Sequence, residues 1–368
     1  MQSLGIDLST DPKKVWLCEI DWGEPVPRVV ALDQATALRD PRASGVPEAE
    51  RPWARDEAGL VAVLVERLAA FAPGPGRVAG LDAPFGWPVA FVDAVSNWEA
   101  GDLAGFRKRP DLRLRATDRF VQAASGVTPL SVSVDRIGST AMLCAEVLSR
   151  YARRLDAPRL DRARALSGVA EVYPAAALRQ WTGQDGVPLR SAGYKTGDAV
   201  REVLVRELTG LVHPIAEPVQ LPGYGAAGVL IAPAFREALL ESDDALDAFL
   251  CALVARSVAL GRCHTVDRPA QPGELAPRAS RDASPQDQAG RAERARLLQA
   301  EAAESADAEG WIHVPLAGPM REGLGLEAVS PPSALSVATT SEPPLPSDVA
   351  EPGGEPGSAG SGGMSLVA

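Results

Sequence analysis

Three short apolar segments constrain what this chain can fold into, because each carries a carboxylate at or near its carboxyl end. The segments and their acids are Ser3–Leu8 with Asp7, Val78–Leu81 followed by Asp82, and Val169–Tyr173 with Glu171. Apolar runs of this length, bounded by turn-forming residues, are typical of buried strands. Two further strand candidates lie between Ser3–Leu8 and Val78–Leu81, which are therefore the first and fourth strands of the chain. If these two strands lie side by side, their carboxyl ends bring Asp7 and Asp82 close together.

Between these segments the pattern alternates between strands and helices. Val15–Ile20 and Pro27–Leu32 are strand candidates separated by a turn, which predicts an antiparallel meander after the first strand. Asp56–Phe71 has helical spacing, and the region from about 91 to 166 is also helical. This order predicts an α/β fold with a mixed sheet, in which the first three strands are antiparallel, the later ones are parallel, and helices flank the sheet.

A helix from Ser242 to about Leu260 is predicted to close the carboxylate cluster. Ser242 is a good N-cap, and Asp244 and Asp247 share one helix face because they are three residues apart. Three or more carboxylates at short spacing cannot all stay ionised without a cation. Oxygen-only ligands favour Mg²⁺ or Mn²⁺ over zinc. Two such ions roughly 3.5–4 Å apart would position a water and stabilise the leaving oxygen of a phosphodiester.

Five segments of the chain resemble the motifs of one known family. The segments are Gly5-Ile6-Asp7-Leu8-Ser9-Thr10, Gly80-Leu81-Asp82-Ala83-Pro84-Phe85-Gly86, Thr117-Asp118-Arg119, Glu171-Val172-Tyr173-Pro174 and Asp243-Asp244-Ala245-Leu246-Asp247-Ala248. They are similar to the motifs of domain-of-unknown-function family 429, which is regarded as a family of predicted nucleases with the RNase H fold. The last segment also resembles the helix of Holliday-junction resolvases of the RuvC type. The resemblance covers roughly residues 1–264, with Gly310-Trp311-Ile312 as a closing segment.

Together the residues and the resemblance predict an RNase H-like domain that hydrolyses nucleic acid with Mg²⁺ or Mn²⁺ as cofactor. The predicted catalytic residues are Asp7, Asp82, Glu171, Asp244 and Asp247, with Asp7, Asp82 and Asp247 as metal ligands. The candidates for substrate binding are Ser9, Thr10, Thr117, Asp118, Arg119 and Lys195. The choice between DNA and RNA, the number of metal ions and the oligomeric state stay open.

A purely structural role is the alternative for most of these residues. The structural alternatives are a turn cap for Asp7, an Asx turn at Asp82, an ion pair of Glu171 with an arginine such as Arg179, and a salt bridge of Asp118 with Arg115 or Arg119. Asp243 and Asp244 suit the start of any helix. Asp247 differs from these, because an unpaired carboxylate on an otherwise apolar helix is costly.

The charge of the chain is unevenly distributed. The net charge is −11, but the residues from Thr265 onward hold 7 basic and 15 acidic groups, whereas the first 264 hold 30 and 33. This balance neither supports nor excludes a nucleic-acid substrate. Two basic runs are candidate substrate surfaces, with a solvated helix face as the alternative. They contain Arg107, Lys108, Arg109, Arg113, Arg115 and Arg119 in the first run, and Arg150, Arg153, Arg154, Arg159, Arg162 and Arg164 in the second.

The domain organisation follows from composition. Residues 1–264 are expected to form the RNase H-like domain, with a helical insertion around 91–166. A polar linker or insertion over 265–308 with an isolated helix around 289–303, and an edge strand over 309–316, are expected after it. The acidic Pro/Ser/Gly-rich tail, 329–368, is predicted to be disordered. We expect a cytoplasmic protein without a membrane span, with four reduced core cysteines and structural histidines.

Two other functions compete with the nuclease. Gly5-Ile6-Asp7-Leu8-Ser9-Thr10 also resembles the first phosphate motif of actin-like and sugar-kinase-like ATPases. Asp82 is followed by Ala-Pro-Phe-Gly, however, and such ATPases need a second glycine-rich phosphate loop. A non-catalytic scaffold of the same fold is the other alternative. A scaffold would not need Asp247 or bind Mg²⁺, whereas an ATPase would respond to ATP.

Overall fold

The computed structural model describes most of the chain before residue 327. The described residues are 1–23, 27–42, 45, 47, 51, 53–71, 76–97, 109–135, 137–183, 186–189, 193–209, 226–276 and 285–326. They belong to one compact unit. The tail predicted to be disordered, 329–368, lies outside the described residues, as does most of the Pro/Gly-rich loop around 218–228.

A six-stranded mixed sheet forms the centre of this unit. Its strands are β1 (Gln2–Asp7), β2 (Trp16–Asp21), β3 (Arg28–Gln34), β4 (Val78–Asp82), β5 (Val169–Val172) and β7 (Ile312–His313), in the spatial order β3-β2-β1-β4-β5-β7. β1, β2 and β3 pair antiparallel, whereas β4, β5 and β7 continue the sheet in parallel with β1. This arrangement confirms the predicted RNase H-like fold class. β6 (Trp181–Thr182) and β8 (Gly318–Pro319) form a separate two-stranded sheet.

Helices cover both faces of the sheet. They are α1 (Glu57–Phe71), α2 (Val89–Ser96), α3 (Arg109–Arg113), α4 (Ala116–Ser125), α5 (Ile137–Arg154), α6 (Pro174–Gln180), α7 (Asp198–Thr209), α8 (Pro233–Glu241), α9 (Asp243–Ala259), α10 (Pro285–Glu309) and α11 (Met320–Gly323). Short 3₁₀ turns occupy Pro12–Lys14, Ala35–Ala37 and Pro272–Glu274. None of the helices in the described ranges is long and apolar enough to cross a bilayer.

The alternation of side chains along β1 and β4 decides which layer each residue meets. Leu4, Ile6 and Leu81 pack into one core with α1 and α5. Gly5 and Gly80 point to the opposite face, where α9 crosses the sheet. α9 is buried on nearly all sides, as expected for a helix that is apolar all round.

Glycine in β1 and β4 allows α9 to lie directly on the sheet. A Cβ added to Gly5 would lie 2.0 Å from the Ala248 carbonyl oxygen, and one added to Gly80 would lie 2.7 Å from that of Cys251. Any side chain at these positions would push the helix away. Because strand side chains alternate, Asp7 and Asp82, two residues further along, point to this same face.

The helix predicted to be isolated around 289–303 is longer and is packed. α10 runs from Pro285 to Glu309 and lies against α4. Its buried residues are Ala292, Ala295, Gln299, Ala302, Ala306 and Glu309. Their spacing of three and four residues makes a narrow stripe in which four of the six are alanines, and this stripe allows close contact without a conventional apolar face. The prediction of an isolated helix was therefore wrong.

The expectation for the cysteines is confirmed. All four, Cys18, Cys144, Cys251 and Cys263, are buried and free. His264 and His313 are also buried, and burial lowers the pKa of each to about 4. Both imidazoles are therefore neutral near pH 7. His213 lies outside the described residues.

Candidate metal centre

Three aspartates from three elements converge at the carboxyl end of the sheet. Asp7 ends β1 and Asp82 ends β4, and the two are direct partners in the parallel register. Asp247 lies in the second turn of α9, above them. Each offers a carboxylate oxygen, and these atoms lie within 4.8 Å of one another. The convergence predicted for these residues is therefore present.

The start of α9 fixes where Asp247 points. Ser242 is the N-cap, and its hydroxyl accepts a hydrogen bond from Ala245 N at 3.1 Å, as the sequence predicted. The helix then descends onto Gly5 and Gly80, so its second turn faces the ends of β1 and β4. Asp247 is only 2% exposed there.

Burial and mutual repulsion disfavour the charged form of this cluster. Burial, and then the charges of Asp247 and Asp82, raise the pKa of Asp7 well above its usual value. Burial raises the pKa of Asp82 to about 7, although Lys195 opposes the shift. The pKa of Asp247 is also raised by burial, against the opposing effects of Lys195 and Tyr194. A cation among the three would remove this cost.

Two neighbouring side chains hold both oxygens of Asp247. The Tyr194 hydroxyl donates to Oδ1 at 2.6 Å, and the Lys195 ammonium lies 2.5 Å from Oδ2. Tyr194 is buried, whereas the Lys195 side chain is 46% exposed. Lys195, predicted to bind substrate, thus contacts a carboxylate and supplies positive charge to the cluster. Tyr194 was not predicted, since a single tyrosine beside a lysine gives no signal of its partner.

The donor set fits a hard divalent cation. It consists of carboxylate oxygens, without cysteine or histidine, and such sets suit magnesium or manganese better than zinc. Tyr194 fixes the orientation of the Asp247 carboxylate through its hydrogen bond, as partners of metal ligands commonly do.

Glu171 belongs to a buried ion-pair network beside the cluster. Its carboxylate accepts two hydrogen bonds from Arg115, at 2.6 and 2.9 Å, and one from Phe85 N at 2.9 Å. The predicted alternative of an arginine partner is thus realised with Arg115 and not with Arg179. The same guanidinium binds both oxygens of Asp118, at 2.9 and 3.2 Å. Asp118 therefore makes the salt bridge that was its alternative role.

The remaining predicted residues lie around the cluster or away from it. Asp244 is partly exposed in the first turn of α9, outside the three-oxygen group, although burial raises its pKa. Ser9 accepts a hydrogen bond from Asp11 N, and Thr10 is exposed. Thr117 is buried, and its hydroxyl accepts a hydrogen bond from Ile312 N at 3.0 Å. Arg119 pairs with Asp111 and Glu301.

A cleft of about 460 Å³ opens onto the cluster. Its polar lining includes Asp7, Asp82, Glu171 and Lys195. Its apolar lining includes Pro84, Pro129, Leu130, Ile137 and Tyr173. The cleft therefore combines a carboxylate cluster and a lysine with apolar side chains that can contact an uncharged part of a ligand.

One family comparison matches most of this chain. A family model described as "Protein of unknown function (DUF429)" matches residues 40–271, which is more than half of the chain. This range contains Asp82, Glu171 and Asp247 but begins after Asp7, which geometry alone adds to the cluster. Comparisons with curated proteins and with solved structures gave no match.

Proposed function

We propose that this chain, which belongs to the DUF429 family, is a metal-dependent nuclease that hydrolyses phosphodiester bonds. The observation that carries the proposal is the convergence of Asp7, Asp82 and Asp247 at the end of an RNase H-like sheet. Such an oxygen cluster in a cleft is suited to phosphoryl chemistry, because the phosphate carries negative charge that a bound cation neutralises.

Asp7, Asp82 and Asp247 would hold Mg²⁺ or Mn²⁺. When bound, the cation supplies an activated water and neutralises charge on the reacting phosphate. Tyr194 keeps Asp247 oriented through its 2.6 Å hydrogen bond. The Lys195 side chain, which is 46% exposed and lines the cleft, would contact a non-bridging oxygen of the phosphate.

The loop after β4 favours a nuclease over an ATPase. An ATPase of this fold class would present free backbone N–H groups to phosphates there. In this chain Phe85 N donates to Glu171, and the Phe85 carbonyl accepts from Arg162 at 2.9 Å. The Phe85 N–H is thus occupied by a carboxylate of the protein and does not face a phosphate.

The test of the proposal is cleavage of a substrate panel by the full chain. Labelled single strands, duplexes, RNA–DNA hybrids and four-way junctions are incubated with Mg²⁺, with Mn²⁺ or with EDTA, and ATP hydrolysis is followed in parallel. We expect cleavage of at least one nucleic acid that requires the divalent ion. Hydrolysis of ATP without any nucleic-acid cleavage, or no activity at all, would contradict the proposal.

Metal binding should stabilise the protein through Asp247. A ligand that binds only the native state at a hundredfold excess over Kd adds about 2.7 kcal/mol. We therefore expect Mn²⁺ to raise the Tm of the wild type, and Asp247→Asn to lose most of that rise. The rise should be larger at pH 8 than at pH 5.5, because the pKa of Asp82 is about 7 and protons compete for the cluster at lower pH.

Asp243→Asn is the matched control for this measurement. Asp243 starts the same helix but is not one of the three clustered ligands. It should keep the full metal-induced rise in Tm. An equal rise in Asp247→Asn would show that this carboxylate does not bind the cation.

A further inference from the structure

The second basic run of the sequence is divided by the structure into paired and unpaired arginines. The paired ones are Arg150 with Glu146 at 2.6 Å, Arg154 with Glu66 at 3.4 Å, and Arg164 with Asp267 at 3.0 Å. The others, Arg153, Arg159 and Arg162, all line one groove. Within the described residues, no carboxylate lies within ion-pair distance of these three.

This groove, which we call the arginine groove, has a volume of about 310 Å³. Phe85, Trp87, the second half of α5 and the segment 157–162 line it. Leu148, Ala152 and Leu160 are among its apolar lining residues. Trp87 is partly exposed. The groove thus combines three positive groups with an accessible aromatic ring.

Two of the guanidinium groups are held close to each other. Arg159 and Arg162 both donate to the backbone carbonyl of Asp307, each at 2.5 Å, and Arg162 also donates to that of Phe85. Burial, and then the charge of Arg159, lower the pKa of Arg162. The Asp307 carboxylate opposes this effect but makes no ion pair with either guanidinium among the described contacts. Like charges fixed together in this way are relieved by an anion.

We propose that the arginine groove binds a nucleotide unit, with its phosphate on Arg153, Arg159 and Arg162 and its base against Trp87. Guanidinium groups suit phosphate because their N–H donors match its oxygens in pairs. An aromatic side chain beside them suits a nucleobase, because stacking on such rings is how proteins hold unpaired bases. The ligand is therefore a phosphate ester that carries an aromatic base.

The position of the groove links it to the proposed metal centre. Asp82 ends β4, and the loop that follows β4 runs through Phe85 to Trp87. Arg162 and Glu171 both hydrogen-bond the backbone of Phe85, which fixes this loop between the two sites. This role rests on the proposed nuclease function. The groove would hold a nucleotide of the substrate strand at a distance from the bond that is cleaved.

The test is binding in EDTA, where cleavage cannot occur. Fluorescence anisotropy of labelled single-stranded DNA and RNA is measured for the wild type and for Arg153→Gln/Arg159→Gln, leaving Arg162 in place to hold the loop. We expect Kd to rise about tenfold or more, and the slope of log Kd against log salt to fall by roughly 0.7 per lost phosphate contact. Trp87→Ala should raise Kd by about five- to hundredfold, whereas Trp87→Phe should keep most of the affinity.

The matched control removes two positive charges from the paired set. Arg150→Gln/Arg154→Gln should change Kd less than about twofold, because these arginines already have carboxylate partners. Circular dichroism and Tm establish that every variant is folded. An equal loss of affinity in both double variants, or unchanged affinity in Arg153→Gln/Arg159→Gln and Trp87→Ala, would overturn the proposal.

A competition arm with adenosine monophosphate distinguishes a strand from a free nucleotide. If the mononucleotide binds with the same dependence on Arg153, Arg159 and Trp87 and the oligonucleotides do not, the site stands and a free nucleotide occupies it. No binding of either ligand by the wild type would overturn the site. Binding with the expected variant effects but no cleavage in metal would reject the nuclease and leave the groove. Cleavage in metal, together with unchanged binding by the variants, would reject the groove and leave the nuclease.

Discussion

Replacing Asp7 or Asp82 with Asn should reduce Mg²⁺- or Mn²⁺-dependent cleavage at least about a thousandfold, a loss of ~4 kcal/mol of transition-state stabilisation. Each substitution removes one anionic oxygen ligand from the cluster while keeping the size of the side chain. The measurement is the initial rate on whichever nucleic acid the wild type cleaves. Cleavage at the wild-type rate by either variant would contradict the proposed site.

The same variants should remain folded without metal. Burial and neighbouring charges raise the pKa values of Asp7 and Asp82, so their ionised forms cost native-state stability above those pKa values. Between the unfolded pKa of about 4 and the native one, the native state binds more protons, and its stability falls as pH rises. A neutral Asn does not carry this cost. We expect the Tm of each metal-free variant at pH 8 to equal or exceed that of the wild type.

Asp21→Asn is a suitable control for both measurements. Asp21 pairs with Gln2 in the β1–β2 register, at the opposite end of β1 from Asp7. The same chemical change there should leave both the cleavage rate and the metal-induced rise in Tm unchanged. A large loss of activity in Asp21→Asn would show that the assay reports general damage to the sheet.

Arg115→Met should destabilise the protein by about 3–5 kcal/mol, because it leaves buried carboxylates without their counter-ion. Arg115 is 2% exposed, and its partners Asp118 and Glu171 are 0% and 3% exposed. All its donor groups are used, including one hydrogen bond to the Glu309 carbonyl. The measurement is the midpoint of denaturant unfolding, with the wild type and Arg115→Met compared at constant slope.

A surface ion pair provides the comparison for Arg115. Arg150→Met removes an exposed pair with Glu146 on α5 and should cost no more than about 1 kcal/mol. Adding Glu171→Gln to Arg115→Met removes one of the unpaired charges and should recover part of the loss. Equal stability of Arg115→Met and Arg150→Met would show that the buried network does not hold this region together.

The network explains why one arginine has so large an expected effect. Glu309, at the end of α10, accepts from Ala116 N and Val89 N through its two carboxylate oxygens. Its carbonyl also accepts from Arg115. Arg115 in turn holds Glu171 on β5, and Glu171 holds the loop after Asp82 through Phe85 N. Arg115 therefore connects β5, the loop after β4 and the end of α10 through one buried guanidinium.

Local patterns were sufficient for most strands of the central sheet and for all three clustered aspartates. Apolar runs ending at Asp7 and Asp82 predicted neighbouring strands, and the two residues are register partners. Ser242 and the apolar pattern after it predicted α9, which brings Asp247 to the cluster. These predictions succeeded because strand length, capping and periodicity are properties of short segments.

The sequence by itself determined the succession of strands along the chain, the cap of α9 and the acidic residues at the ends of β1 and β4. Each of these features depends on residues close together in the chain. Only the tertiary structure decided which partner each polar group has. Arg115 binds Glu171 from 56 positions away, and Tyr194 binds Asp247 from 53 positions away. The alanine-rich stripe of α10 is a packing surface only because α4 lies against it, and the sequence did not indicate this contact. A buried polar group must find a partner, but the chain alone does not say which distant residue folding will bring to it.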